Sequence, residues 1–143
     1  MLVECEVIAM LVSTKGRYAL RVMLELADQQ QNAYVPLSLI AEKQEISEKY
    51  LESIIVLLSK AGLVDGVRGK GGGYRLTRSP ELYSVGEILR LTERSLAPVS
   101  CLDCTPNACT RAEHCKTLPM WEKLDEVICD YLNSVTLASL LEK

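Results

Sequence analysis

Apolar positions recur along the chain in two rhythms, one helical and one strand-like. Ala19, Val22, Met23 and Leu26 follow the i, i+3, i+4, i+7 spacing of a helix with one buried face, capped by Ser13 or Thr14 and running to about Gln30. After a connector at Asn32, Ala33 and Tyr34, Pro36 suits the first turn of a short helix, because its missing N–H would be unpaired there anyway. Leu37, Ile40 and Ala41 form its inner face, and it ends near Glu45. The turn Glu45-Ile46-Ser47 leads to a third helix, capped by Ser47 and carrying Glu48 at the positive end of its dipole. Its buried stripe is Leu51, Ile54, Ile55 and Leu58, and Gly62 stops it. The rhythm then changes. Leu63 to Val67 and Tyr74 to Leu76 flank a glycine-rich tip and predict a hairpin. Ser84 and Glu87 spell a capping box for a fourth helix reaching about Arg94. From about Thr117 a long amphipathic helix follows, with Pro119 confined to its first turn, and a short helix follows Thr136.

Two short helices joined by a tight turn match a helix-turn-helix, and a basic hairpin after them makes it winged. The predicted fold is mainly α with a small β-hairpin wing, a winged helix-turn-helix followed by a long C-terminal dimerisation helix. The exposed N-terminal positions of the third helix are Ser47, Lys49, Glu52 and Ser53, side chains suited to base edges and phosphates. Glu52 is repelled by phosphate, so it makes sense as a selective reader of a cytosine amino group; the alternative is a surface pair with Lys49. At the tip, glycines allow positive φ and Arg68 and Lys70 are placed to enter a minor groove. A phosphate loop is the rival, but G-K-G-G-G lacks its spacing and no helix follows directly. The long helix offers Trp121, Leu124, Ile128 and Tyr131, with Val127 and Leu132, as a wide stripe. Half-site recognition wants a two-fold dimer, so that stripe is assigned to dimerisation.

The 143 residues suit one domain with a real core. Residues 1–9 show no periodicity and stand as an N-terminal extension; 10–80 form the DNA-binding head; 81–143 form a linker helix, the loop at 101–115 and the dimerisation helix. The net charge of −3 argues against a uniformly basic surface, yet residues 66–80 carry Arg68, Lys70, Arg75 and Arg78 and no acid. No apolar run is long enough for a membrane helix, and the start lacks the basic region of a signal peptide, so the expected location is cytoplasmic with no membrane partner.

In that compartment clustered thiols point to metal or redox chemistry. Four of the six cysteines, Cys101, Cys104, Cys109 and Cys115, fall within C-L-D-C-T-P-N-A-C-T-R-A-E-H-C, with the single histidine, His114, beside the last. The C-x2-C-x4-C-x5-C spacing leaves an iron–sulfur cluster, a zinc ion and a thiol–disulfide switch open. Cys129, among apolar positions, is expected to act as a small hydrophobe, and Cys5 has no assigned role. No Ser/His/Asp set or paired-carboxylate cleft is visible, so no enzyme is expected. The rivals are a zinc-stabilised or thiol-redox winged-helix regulator, and a cluster-carrying winged-helix module that binds protein.

L-V-S-T-K-G-R-Y-A-L-R at 11–21, I-S-E-K-Y-L-E at 46–52 and G-L-V-D-G-V-R-G-K-G-G-G-Y at 62–74 together resemble the IscR-like regulators, winged-helix transcription factors of a family that also includes NsrR and CymR. The resemblance runs from about Met10 to the end of the sequence. It implies a homodimer on a double-stranded DNA operator, a cluster, [2Fe–2S] in type, in the loop, with [4Fe–4S] or zinc as alternatives, and control of iron–sulfur assembly genes. Assembly or carrier proteins would be the cluster donors. It assigns Cys101, Cys109 and Cys115 as ligands, Glu52 as a base reader and Arg68 as the minor-groove arginine; Lys15, Arg17 and Tyr74 complete the DNA-contact set. The chain departs from the family pattern in its longer first cysteine gap and in Leu118, which stands where a histidine ligand is usual. Cys104 or His114 would supply the fourth ligand, the softer thiolate being preferred.

Overall fold

A computed structural model describes residues 12–29, 33–102 and 109–142. The order is α1 (Thr14–Ala27), α2 (Leu37–Gln44), α3 (Glu48–Lys60), β1 (Val64–Val67), β2 (Gly73–Leu76), α4 (Val85–Thr92), α5 (Leu118–Ser134) and α6 (Leu137–Leu141), with 3-10 turns at Pro80–Leu82, Ser100–Leu102 and Ala112–His114. The two strands pair antiparallel, Val64 opposite Leu76 through Val67 opposite Gly73. The mainly helical winged fold is thus the one the periodicity predicts. Among the described residues no helix is long and apolar enough to cross a membrane.

Local chemistry sets the boundaries. Ser13 caps α1, its Oγ accepting from the Gly16 N–H at 3.0 Å. Ser13 also donates its N–H and hydroxyl to one Glu93 oxygen at 3.0 and 2.7 Å, which fastens the start of α1 to the end of α4. α1 stops at Ala27 instead of near Gln30, because nothing apolar after Ala27 is left to bury until the connector; Gln30 and Asn32 lie outside the described residues. Pro36 sits at the N-cap of α2, one position before the expected first turn, in the extended conformation its ring favours. Glu45 closes α2 in the left-handed region at φ 55°. Arg21 holds this turn, bonding the Gln44 side chain and carbonyl at 2.8 and 2.9 Å.

The expected capping box at α4 is half formed. The Glu87 N–H donates to Ser84 Oγ at 3.0 Å, but the Glu87 carboxylate is taken by Arg78 at 2.8 Å, since a charge-assisted bond outweighs the neutral backbone donor. A complete box forms instead at α6, between Thr136 and Ser139.

One core joins the two halves of the chain. Ala19, Val22 and Met23 of α1, Ile40 of α2 and Leu51, Ile54 and Leu58 of α3 are buried with Tyr83, Ile88 of α4 and Leu137 of α6. Replacing Ile54, fully buried on α3, by Ala should cost about 2–5 kcal/mol in urea unfolding, whereas Val56→Ala on its exposed side should stay within about 0.5 kcal/mol.

Candidate nucleic-acid interface and cysteine loop

Burial divides α3 into two faces. Leu51, Ile54, Ile55 and Leu58 point inward, so Lys49, Glu52 and Ser53 are exposed. Ser47 is exposed too, but its Oγ caps the helix, accepting from the Tyr50 N–H at 3.1 Å, which leaves its hydrogen and one lone pair for another partner. Ser53 donates to the Tyr50 carbonyl at 2.6 Å and keeps its lone pairs. Lys49 and Glu52 form no ion pair with each other or with other described residues. The surface pair considered for Glu52 is therefore absent. Tyr18 of α1 meets Tyr50 edge-on, ring centres 5.9 Å apart, which brings the first turns of α1, with Lys15 and Arg17, towards the start of α3. Among the described residues the Arg17 side chain reaches Thr14 Oγ1, at 3.4 Å.

The wing carries a feature the hydrophobic pattern does not reveal. Val35 bridges to Tyr74, with N–H to carbonyl bonds of 2.8 and 2.9 Å, and sets an isolated one-residue bridge beside the two-stranded hairpin. Gly73 allows it: a Cβ there would collide with the Val35 carbonyl. Tyr74 lies in the ladder one pair from the tip loop, half-buried, its ring over Gly66. Arg75 is engaged as well, 4.5 Å from the Tyr34 ring and 3.4 Å from Asp65. Arg68 and Lys70 at the tip are exposed and form no ion pair among the described residues. Of the four basic residues in the wing segment, these two are left to meet another molecule.

Cys101 lies half-buried on the 3-10 turn after Pro98. Cys109 is exposed and begins the next described stretch; Cys115 follows the turn Ala112–His114 and is half-buried, while His114 is exposed. Cys104 lies outside the described residues. The Thr117 hydroxyl, 3.3 Å from Cys115 Sγ, holds that thiol below its usual range, with help from the Thr117 and Leu118 N–H groups and from Arg111. The donor set is thus soft and, at Cys115, biased towards thiolate, which suits iron–sulfur or zinc by chemistry. Among the described residues no three Cys, His, Asp or Glu side chains gather closely enough to hold a metal ion.

No residue of α5 is fully buried. Leu124, Val127 and Tyr131 are 37, 52 and 67 % exposed, and Met120, which the sequence reading passes over, extends the same line at 53 %. Trp121, Ile128 and Leu132 are half-buried; Ile128, Tyr131 and Leu132 line an apolar groove with Val12 and Leu96. Cys129 is half-buried, less enclosed than a core residue.

Residues 12–143 match a family described as Rrf2, iron-dependent transcriptional regulators. The chain belongs to this family. It is 39 % identical to the regulator IscR of Erwinia tasmaniensis over 92 % of its own length and 79 % of that protein's. Among solved structures, T. potens IscR superposes with a TM-score of 0.73 at 39 % identity, covering 92 % of this chain and 86 % of that one. CymR, the global cysteine regulator of B. subtilis, superposes with a TM-score of 0.75 at 35 % identity over 91 and 95 %. This Rrf2 chain is accordingly a DNA-binding transcriptional regulator of winged-helix type and not an enzyme.

Proposed function

We propose that this regulator is a cytoplasmic homodimer that holds an iron–sulfur cluster in its cysteine loop and controls iron–sulfur assembly genes. The observation that carries the DNA half of the reading is an outward-facing α3 beside a wing whose tip cations form no ion pair among the described residues. Cys101, Cys109 and Cys115 would hold the cluster, with Cys104 or His114 as fourth ligand, and their loop feeds directly into α5. Support for the cluster comes from this soft donor set and from the relatives named IscR. The cluster would act as a removable charged clasp on the loop. The cluster is taken as [2Fe–2S], delivered by assembly or carrier proteins; [4Fe–4S] and zinc are the other outcomes that metal and sulfide counts would reveal. The stripe from Met120 to Tyr131 spans about 16 Å of helix, and a second copy laid along it would remove it from water.

Anaerobically purified protein should be coloured and contain iron and acid-labile sulfide, and Cys101→Ala, Cys109→Ala and Cys115→Ala should each lose most of both, since a missing thiolate leaves iron open to water. A colourless protein containing one zinc would replace the cluster reading by the structural-metal one. Leu124→Glu should shift sedimentation from dimer to monomer, because a charge would be buried without a partner; an unchanged dimer would move the interface elsewhere. On the DNA side, Arg68→Ala should weaken binding and flatten its salt dependence by about one released counterion, with helix content unaltered. Glu52→Ala should relax discrimination at one base pair by about 1–3 kcal/mol on a panel of single-base variants. Identical specificity profiles would leave Glu52 out of base reading.

A further inference from the structure

Tyr83 stands immediately before the cap of α4, and none of it is exposed. A phenol hydroxyl has one hydrogen to donate and two lone pairs to accept with, and here all three are used. It donates to the Leu63 carbonyl at 2.7 Å and accepts the Thr77 and Arg78 N–H groups at 2.9 and 3.0 Å. Leu63 and Thr77 flank the last strand pair, Val64 with Leu76, so this oxygen closes the wing at its root. The Thr77 hydroxyl reinforces the closure by donating to the Gly62 carbonyl at 2.7 Å. From outside, the Arg78 guanidinium lies 4.3 Å over the Tyr83 ring and bonds the Leu82 carbonyl and the Glu87 carboxylate at 3.0 and 2.8 Å.

The backbone of the same residue faces the other half of the chain. The Leu137 N–H donates to the Tyr83 carbonyl at 3.1 Å, and two residues on, the Val85 N–H donates to the Val135 carbonyl at 2.8 Å. Tyr83 therefore grips the wing with its side chain and the α5–α6 corner with its main chain.

The geometry points to Tyr83 as a positioning residue for DNA binding: its hydroxyl fixes the angle at which the wing, and with it Arg68, is held beside α3. Core packing of Leu63 and Val64 and the Val35 bridge hold the wing along one side, and the Tyr83 hydroxyl holds it at the root. The wing's strands are four residues each, and Val35 adds a single isolated bridge; ribbons of this size are marginal alone. Leu63 comes directly off the end of α3, so tying Leu63 to Thr77 and Arg78 ties the returning strand to the helix that faces outward. A phenylalanine would fill the same space while leaving the Arg78 N–H without this partner and the Leu63 carbonyl and Thr77 N–H with only their long 3.4 Å bond to each other, and the root would loosen before the core did.

This inference rests on the reading of the wing as a DNA contact through Arg68, and the test separates the two. The probe is a duplex selected by the full-length wild-type protein from a random-sequence library, titrated at several salt concentrations. Tyr83→Phe should bind it about ten-fold more weakly, with the shallower salt dependence of Arg68→Ala. The double variant should bind no worse than the weaker single one, because an arginine that is no longer aimed has nothing further to lose. A residue with a merely structural role would lower the unfolding temperature and leave the affinity alone. Wild-type affinity in Tyr83→Phe, or losses that multiply in the double variant, would overturn the inference. Should Tyr83→Phe fail to fold, Thr77→Val, a surface change at the same root, must show a smaller loss that is likewise non-additive with Arg68→Ala; additive or absent effects again count against it. If Arg68→Ala itself binds like wild type, the wing reading fails and this inference falls with it. A loss in Arg68→Ala alone removes only Tyr83.

Discussion

The inward face of α3 is the constraint on which the rest depends. Four apolar side chains, Leu51, Ile54, Ile55 and Leu58, must leave water together, and burying them is worth several kcal/mol in all. Once they do, the residues between them have no freedom of direction: Lys49, Glu52 and Ser53 must face out. The hydrophobic effect, which cares nothing for sequence readout, thereby supplies the rigid presentation that readout requires. The start of β1 inherits the same anchoring, because Leu63 and Val64 continue the core directly from the end of α3.

Head and C-terminal half are built as one body. Glu93, at the end of α4, takes both donors of Ser13 at the start of α1, and Gly16 is needed beneath it because a Cβ would strike the same carboxylate. Leu137 completes the core from the far end of the chain. Among the described residues, the head and the C-terminal half share one packed core. Any signal arriving at one must be carried by small shifts in shared packing.

What could be read from the sequence follows how local each interaction is. Caps at Ser13, Ser47 and Ser84, the stop at Gly62 and the inner stripes of α1 and α3 depend on neighbours within about one turn, and the spacing alone places them. The bridge at Val35 and the closure by Tyr83 join residues 39 and 20 positions apart, and the alternation of polar and apolar residues carries no trace of either partner. One local hint existed for Tyr83: it precedes an N-cap and is buried with Ile88, the pair of positions that forms a hydrophobic staple. The Ser84–Glu87 box failed in part for the same reason of distance, since Arg78 competes from another turn. In the loop, the number and type of thiols were legible, but their arrangement is a matter of three dimensions that spacing does not encode. The stripe of α5 was legible as apolar; which of its residues the chain itself half-buries and which it leaves exposed was not.

α5 also has a mechanical meaning. It is an uninterrupted run of 17 residues, a stiff rod about 26 Å long, with Cys115 just before one end and the corner that touches Tyr83 at the other. Rods turn angles into distances. A tilt of about 5° at the cysteine end moves the far end by roughly 2 Å over that length, comparable with the helix shifts through which packed proteins switch. The corner is met by main-chain hydrogen bonds near 3 Å, which tolerate only a fraction of that displacement before they break. The long helix is thus a stiff link, and a small tilt at its cysteine end would arrive at hydrogen bonds with little room to give.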